Sequence, residues 1–178
     1  MTTLPVRAAI YIGTTLFPPQ HASACLDLSL ESCLRHCMTR GYQLSRHHIY
    51  QGGPEPFWSN TPTLLKLRQA AVQKQFDVLI IPSAASIGYI APWKADRSER
   101  TINGYYISRE FSSRSEQVVM AFYQHDVYIE STVKRDGTHD IYRQMLSEAL
   151  QFAHQVKEST GLRALPGAQA HRHKNMLA

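Results

Sequence analysis

A pair of hydroxyls stands where an apolar run stops. Residues 8–12, Ala-Ala-Ile-Tyr-Ile, give way at once to Gly13, Thr14 and Thr15. If that run is a strand inside a parallel sheet, these three residues lie just past its carboxyl end, where open α/β sheets place their chemistry. Other groups with reactive side chains offer less. Cys33, His36 and Cys37 share one helical turn and have the types of a metal site, but both cysteines fall on an apolar stripe and His36 falls off it. That is the pattern of core thiols rather than zinc ligands. Cys25 is a loop thiol with no evident activator. His47 and His48 are neighbours, and neighbours on a strand face opposite ways, so they read as a strand edge. Gly52-Gly53 reads as a turn: no strand ends directly before it and no Lys-Ser/Thr follows, as a phosphate loop would need. Tyr105, Tyr106 and Arg109, with Arg97 and Arg100, could grip single-stranded nucleic acid by stacking and charge. Their polar surroundings read as a surface loop.

The elements that must position these residues follow from periodicity. Ala8–Ile12 is apolar on both faces, which suits a central parallel strand covered by helices on each side. A polar loop is expected over Leu16–Asp27, then a helix over Ser29–Arg40 with Leu30, Cys33, Leu34, Cys37 and Met38 on one stripe, stopped by Gly41. Tyr42–Tyr50 reads as a second strand and Gln51–Asn60, with Gly52, Gly53, Pro54 and Pro56, as loop. Thr61-Pro62 starts a helix, an N-cap and then proline at the first helical position. That helix should run to about Lys74 and bury Leu64, Leu65, Leu67, Ala71 and Val72. Phe76–Ile81 is a second doubly buried strand, and the alternation of strands and helices is a βαβ series. Residues 91–113 read as an exposed insertion with a hairpin about Asn103-Gly104. A helix is expected over Ser115–Gln124 with Val118, Val119 and Phe122 inward, then a strand over Val127–Val133 and a turn at Arg135–Gly137. Asp140 to about Glu158 is a long helix whose apolar residues cover more than one stripe. It therefore has a second surface to pack against, such as another subunit.

Size and composition restrict the class. A chain of 178 residues, 43% hydrophobic and 19% charged, suits one soluble α/β domain. It has no apolar run near the ~20 residues that cross a bilayer and no basic-then-apolar leader, so the expected location is the cytoplasm and no membrane partner is expected. Three cysteines fit a reducing compartment better than a disulfide framework. A net charge of +5 is compatible with non-specific DNA contact without arguing for it. The last acidic residue is Glu158, so residues 159–178 form a basic tail, expected to be flexible.

Taken in order, three segments resemble the catalytic domain of the serine site-specific recombinases, the resolvase and invertase family. RAAIYIGTT resembles the family's first strand, which typically ends Tyr-Ala-Arg-Val-Ser-Thr. SLESCLRHCMTRGYQL resembles its first helix, glycine and second strand, and FDVLIIPSAASIGY resembles the strand and loop that carry Lys-Leu-Asp-Arg-Leu-Ser-Arg. The resemblance covers Arg7 to about Lys157. It implies a three-layer domain over residues 1–158, a mainly parallel sheet of four to five strands with helices on both faces, and a long C-terminal helix. It also implies a homodimer or hetero-oligomer through that helix, at Ile141, Met145, Ala149, Phe152 and Val156.

The family's reaction uses a serine hydroxyl on a DNA phosphodiester, no metal or cofactor, and several arginines that neutralise the phosphate. The resemblance puts Thr15 at the nucleophile position and Gly13 at the first arginine. Ala85 stands at the aspartate, Ser86 at the arginine beside it and Tyr89 at the next arginine. Thr61 stands where an arginine often precedes the helix, and Ala153 and His154 stand at the Glu-Arg pair of the long helix. Threonine is still an alcohol, but losing one preorganised oxyanion donor costs about 10²–10³ in rate. The implied protein is a resolvase-like pseudoenzyme with an accessory or regulatory role in a DNA-linked process. Alternatives are an active enzyme using Thr15, or a small-ligand domain reusing the crevice beside Gly13 and Pro82. The 20 residues after Glu158 are too few for the helix-turn-helix module that usually follows.

Overall fold

The computed structural model describes residues 4–13, 21–88, 100–102, 105–107, 109–135 and 137–159. Its centre is β1 (Arg7–Ile12), where every residue after Arg7 is buried. On one side β1 pairs in parallel with β2 (Gln43–Gln51), and on the other with β3 (Val78–Ile81). Next to β3 lies β6 (Tyr128–Arg135), also parallel, and β7 (Thr138–Asp140) closes the far edge antiparallel to it. The order β2-β1-β3-β6-β7 makes a mixed, mainly parallel sheet of five strands.

Alternation along β1 and β3 divides the core into two layers. Ala8, Ile10, Ile12, Val78 and Ile80 face Cys33 and Cys37 of α1 (Ala22–Arg40), with Leu26, Leu30 and Leu34 beside them. Ala9, Tyr11, Leu79, Ile81 and Ile129 face the opposite layer. There they meet Leu64, Leu67, Ala70 and Ala71 of α2 (Pro62–Val72), Val119 and Phe122 of α3 (Arg109–Gln124), and Ile141 of α4 (Ile141–Ser159). Helices on both faces of a parallel sheet give the expected three-layer α/β domain.

The boundaries differ from expectation in instructive places. Helix α1 starts at Ala22, seven residues before Ser29, because nothing between Pro19 and Gly41 breaks it and Leu26 adds a turn of apolar contact below Leu30. It stops at Gly41, whose φ of 68° a side chain would disfavour. Thr61 caps α2, its hydroxyl accepting the Leu64 N–H. That helix ends at Val72 rather than Lys74. Lys74 turns to φ 52°, and its ammonium meets Asp126, itself at φ 56°, at 2.8 Å. Leu65 and Val72, expected inside, are 49% and 56% exposed, since the helix offers only one face to the sheet. On either side of Asn103-Gly104, which lie outside the described residues, β4 (Arg100–Ile102) and β5 (Tyr105–Ile107) pair antiparallel. Helix α3 begins at Arg109, earlier than Ser115, and strand β7 had no counterpart in the sequence reading.

Phe57 shows how the long connection after β2 is held. It is fully enclosed, 5.0 Å from the Tyr11 ring and 6.0 Å from the Phe122 ring. Phe57→Ala should therefore destabilise the domain by about 3–5 kcal/mol. Leu65→Ala should stay within about 0.5 kcal/mol of wild type. Urea titrations of both variants measure the contrast.

Candidate functional site

The crevice at the carboxyl ends of β1 and β3 is built on glycine and serine. Gly13 follows β1 directly and is buried. A Cβ there would lie 2.8 Å from the Tyr11 hydroxyl and 3.3 Å from the Ser86 carbonyl oxygen. Gly52 approaches the same phenol from the β2 side, where a Cβ would lie 2.6 Å from the hydroxyl. Two glycines thus leave room for one tyrosine. The Tyr11 hydroxyl is enclosed and has no hydrogen-bond partner among the described residues. Burial, then the charge of Glu55, push the phenol well above its ordinary value, while Arg68 pulls it back. A shut-in phenol held in its protonated form is no nucleophile.

Beyond β3 the chain makes a 3-10 turn, Ala84–Ile87, closed by a reciprocal cap between Ser83 and Ser86. Ser86 Oγ accepts the Ser83 N–H at 3.2 Å and lies 3.3 Å from Ser83 Oγ. Ala85 is half-buried on the same turn. Gly13, Ala85 and Ser86 therefore do sit around one end of the sheet. Thr14, Thr15 and Tyr89 lie outside the described residues, as do all of residues 91–99, Arg97 among them, and residues 160–178. Ala153 and His154 are exposed on α4.

Arg68 is a cation near the crevice that sequence reasoning passed over. It reaches from α2 to the connection after β2, donating to the carbonyls of Ser59 (2.6 Å) and Phe57 (3.4 Å) and to Asn60 Oδ1 (3.1 Å). Its guanidinium holds a loop. A second miss is Glu130. This mostly buried carboxylate receives His36 Nε2 at 3.0 Å, Arg40 Nη2 at 3.0 Å and the Tyr42 hydroxyl at 3.1 Å. The ring of His139 lies 4.7 Å from that of His36, and Ser32, Thr132 and the Pro82 carbonyl form a hydrogen-bonded chain nearby. The signal in the sequence was His36 standing off its apolar stripe. Its partner lay 94 residues away, beyond the reach of pattern reading.

The remaining candidates resolve as follows. Cys33 and Cys37 are buried, and burial pushes their thiols up to about 12 and about 11, so neither offers a thiolate. Among the described residues no three His, Cys, Asp or Glu side chains converge as a metal set. Strand β2 runs to Gln51, so a strand does end directly before Gly52-Gly53, contrary to expectation. His47 and His48 lie in a bulge rather than in a regular strand. On α4, Ile141 is fully inside its own chain, which leaves it no surface for a second subunit, while Met145 packs on the same core and is partly buried. Gln144 and Glu148 share that inward face. Ala149 is exposed, and with Leu146, Leu150 and Ala153 it makes an outward apolar row. The side chains of Phe152 and Val156 lie outside the described residues. No helix among the described residues is long and apolar enough to cross a membrane.

Three solved structures share this architecture. One is a resolvase family site-specific recombinase from Streptococcus pneumoniae, with a TM-score of 0.54, 8% identity, and coverage of 89% of this chain and 91% of that one. The second is the N-terminal catalytic domain of TP901-1 integrase, at 0.50 and 15% identity, covering 86% and 95%. The third is the C-terminal catalytic domain of ISC1926 TnpA, an IS607-like serine recombinase, at 0.50 and 15%, covering 87% and 83%. No family model and no curated protein matches the sequence. At these identities the likeness is one of fold: the chain has the fold of serine recombinase catalytic domains.

Two outcomes follow from this geometry. Tyr11→Phe removes an unpartnered buried hydroxyl and should be neutral or stabilising by about 1–3 kcal/mol. Gly13→Ala alone should destabilise, and adding Tyr11→Phe should recover part of the loss. A double-mutant cycle by chemical denaturation reads the coupling. For Glu130, burial pushes its carboxyl up, but the bonds from His36, Arg40 and Tyr42 outweigh it and hold it below the usual value of 4.5. A lowered folded pKa adds stability that is complete above the unfolded value and vanishes as pH falls through the folded one. Glu130→Gln should lose roughly 1–3 kcal/mol at neutral pH, and its melting-temperature gap to wild type should narrow as pH falls through the lowered pKa of the folded carboxyl.

Proposed function

We propose that this recombinase-fold chain does not cleave DNA and acts by self-association as an accessory or regulatory protein in a DNA-linked process in the cytoplasm. Residues 1–158 are the recombinase-type unit, and residues 159–178 are a basic tail that adds non-specific DNA contact. The observation that carries this reading is the filled space at Gly13. The resemblance places an arginine there, yet a first side-chain carbon would already collide with the Tyr11 hydroxyl and crowd the Ser86 carbonyl oxygen. Ala85 and Ser86 contribute no charge, and Arg68 is turned to loop carbonyls. With no charge at Gly13, Ala85 or Ser86 and Arg68 so engaged, charge developing on a scissile phosphate meets no preorganised guanidinium at these positions.

The self-association half rests on α4. Leu146, Ala149, Leu150 and Ala153 recur at the spacing of one helix face and point outward, with Leu146 48% and Leu150 67% exposed. At the start of α4, Tyr142 stacks on Tyr123 at 4.4 Å and carries the apolar surface onto α3. An outward apolar row of this kind favours a protein partner, with a second copy as the first choice.

Two measurements test the reading. Light scattering should give the mass of a dimer, and Leu146→Asp with Leu150→Asp should reduce it to a monomer. A wild-type chain that stays monomeric at high concentration removes self-association. Supercoiled plasmid should remain intact with both wild type and Thr15→Ala. Nicking by wild type that Thr15→Ala abolishes, or a covalent protein–DNA adduct, replaces this reading with the enzyme one.

A further inference from the structure

The contact between His36 and His139 plays no part in the proposed function. His36 stands on α1 and His139 on β7, and their rings meet edge to face with centroids 4.7 Å apart. Each ring has committed one nitrogen. His36 Nε2 lies 3.0 Å from the Glu130 carboxylate, and His139 Nδ1 lies 2.7 Å from the Ser131 carbonyl oxygen. Both partners only accept, so both of these nitrogens carry a proton and donate it. A neutral ring then keeps its other nitrogen bare, Nδ1 in His36 and Nε2 in His139. A proton taken up there turns the ring into a cation.

The surroundings are poorly suited to two such charges. The side chains of His36 and Glu130 are 9% and 11% exposed, so water screens them little. Arg40 already matches the Glu130 charge, its Nη2 3.0 Å away. Asp140, next to His139 on β7, is engaged with α4, accepting the Arg143 N–H at 3.2 Å and pairing with that guanidinium at 3.8 Å. Cys37 and Tyr42 also lie against Glu130; burial pushes both up, and they stay protonated. Glu130 itself, raised by burial and lowered further by its donors, lies below 4.5 and stays charged. Histidine is the side chain that changes charge between about pH 5 and 8. Across that range the two imidazoles are therefore the groups of this cluster that gain charge. With both charged, one carboxylate faces two imidazoliums and a guanidinium. β7 is the element least able to resist. It has three residues at the sheet edge, and its register against β6 is irregular between Glu130 and Arg135. Besides that pairing it is tied by the His139 bond to Ser131 and by Gln144 Nε2 donating to the Thr138 carbonyl at 3.0 Å. Closing the Ser131 carbonyl requires a donor on β7, but not a second imidazole on the helix opposite.

From this we infer that His36 and His139 form an acid-sensitive latch, which holds β7 against α1 and β6 while the rings are not both charged and drives β7 off when they are. The trigger is a proton, and no step of the proposed self-association enters the argument, so the two stand or fall apart.

Amide hydrogen exchange of the full chain tests it, compared at about pH 7.5 and about pH 5 and corrected for the intrinsic pH dependence of exchange. Protection at residues 138–140 should fall about tenfold or more at the lower pH, while β1 and β3 keep theirs. His139→Asn places an amide donor where Nδ1 stood, and His36→Gln places one where Nε2 stood. Neither replacement takes up a proton, so in either variant protection at 138–140 should hold at both pH values. Circular dichroism melting at neutral pH establishes which variants are folded, and either one alone decides. Protection that persists in wild type at the lower pH overturns the latch, as does a fall of the same size in a folded variant. A loss shared with β1 and β3 is global unfolding and overturns it too.

Discussion

β1 has to lose water from both faces at once, and the rest of the domain answers that demand. Five successive apolar residues cannot sit at a sheet edge or on a solvated sheet without exposing one side. Parallel partners on both flanks supply its hydrogen bonds, and helices cover it above and below. Parallel pairing in turn needs crossovers, and α1 and α2 serve as those crossovers. The two core layers are therefore two consequences of one strand.

The same strand fixes the character of the crevice. Tyr11 is the last residue of β1 that faces the α2 layer, and its phenol reaches past the end of the strand toward Gly13 and Gly52. A large polar ring in that position accepts only glycine as neighbour on either side. The polar groups that remain are arranged as structure: Ser83 and Ser86 close a turn on each other, and Arg68 ties down the connection that carries Phe57. Each of these groups has its hydrogen bonds directed at the fold itself. Preorganised donors for a reacting phosphate would have to point outward instead.

On the α1 side the layer is stitched by a charge rather than by packing alone. Glu130 on β6 gathers His36 and Arg40 from α1 and Tyr42 from the start of β2, which fixes the helix against the sheet. A mostly buried carboxylate is tolerated because every donor around it is aimed at it. Replacing it with a group that accepts fewer bonds leaves the mostly buried His36 ring without its partner. The cluster thus sets the angle of α1 on the sheet, where a purely apolar contact would allow it to slide.

By itself the sequence determined the framework. Apolar runs at 8–12 and 76–81, the Thr61-Pro62 start, Gly41 as a stop and the stripe through Cys33 and Cys37 are local signals. Each works through periodicity or backbone restriction within a few residues. They placed the βαβ series, the central strand, the core cysteines and the strand pair on either side of 103–104, and they brought Gly13, Ala85 and Ser86 to one end of the sheet. Only the tertiary structure decided what surrounds them. The clash of a Cβ at Gly13 with the Tyr11 hydroxyl depends on where the packed layer turns that ring, and the turn of Arg68 onto loop carbonyls depends on the path of the connection after β2. The Glu130 cluster joins residues about 90 positions apart in the chain. The inward placing of Ile141 and the outward placing of Leu65 also needed the packed sheet, since a helix pattern defines a stripe but not which edge of it meets the core. The bulge in β2 is the clearest case. Nothing in Leu-Ser-Arg-His-His-Ile breaks a strand, and the extra residues show only when the register against β1 is laid out.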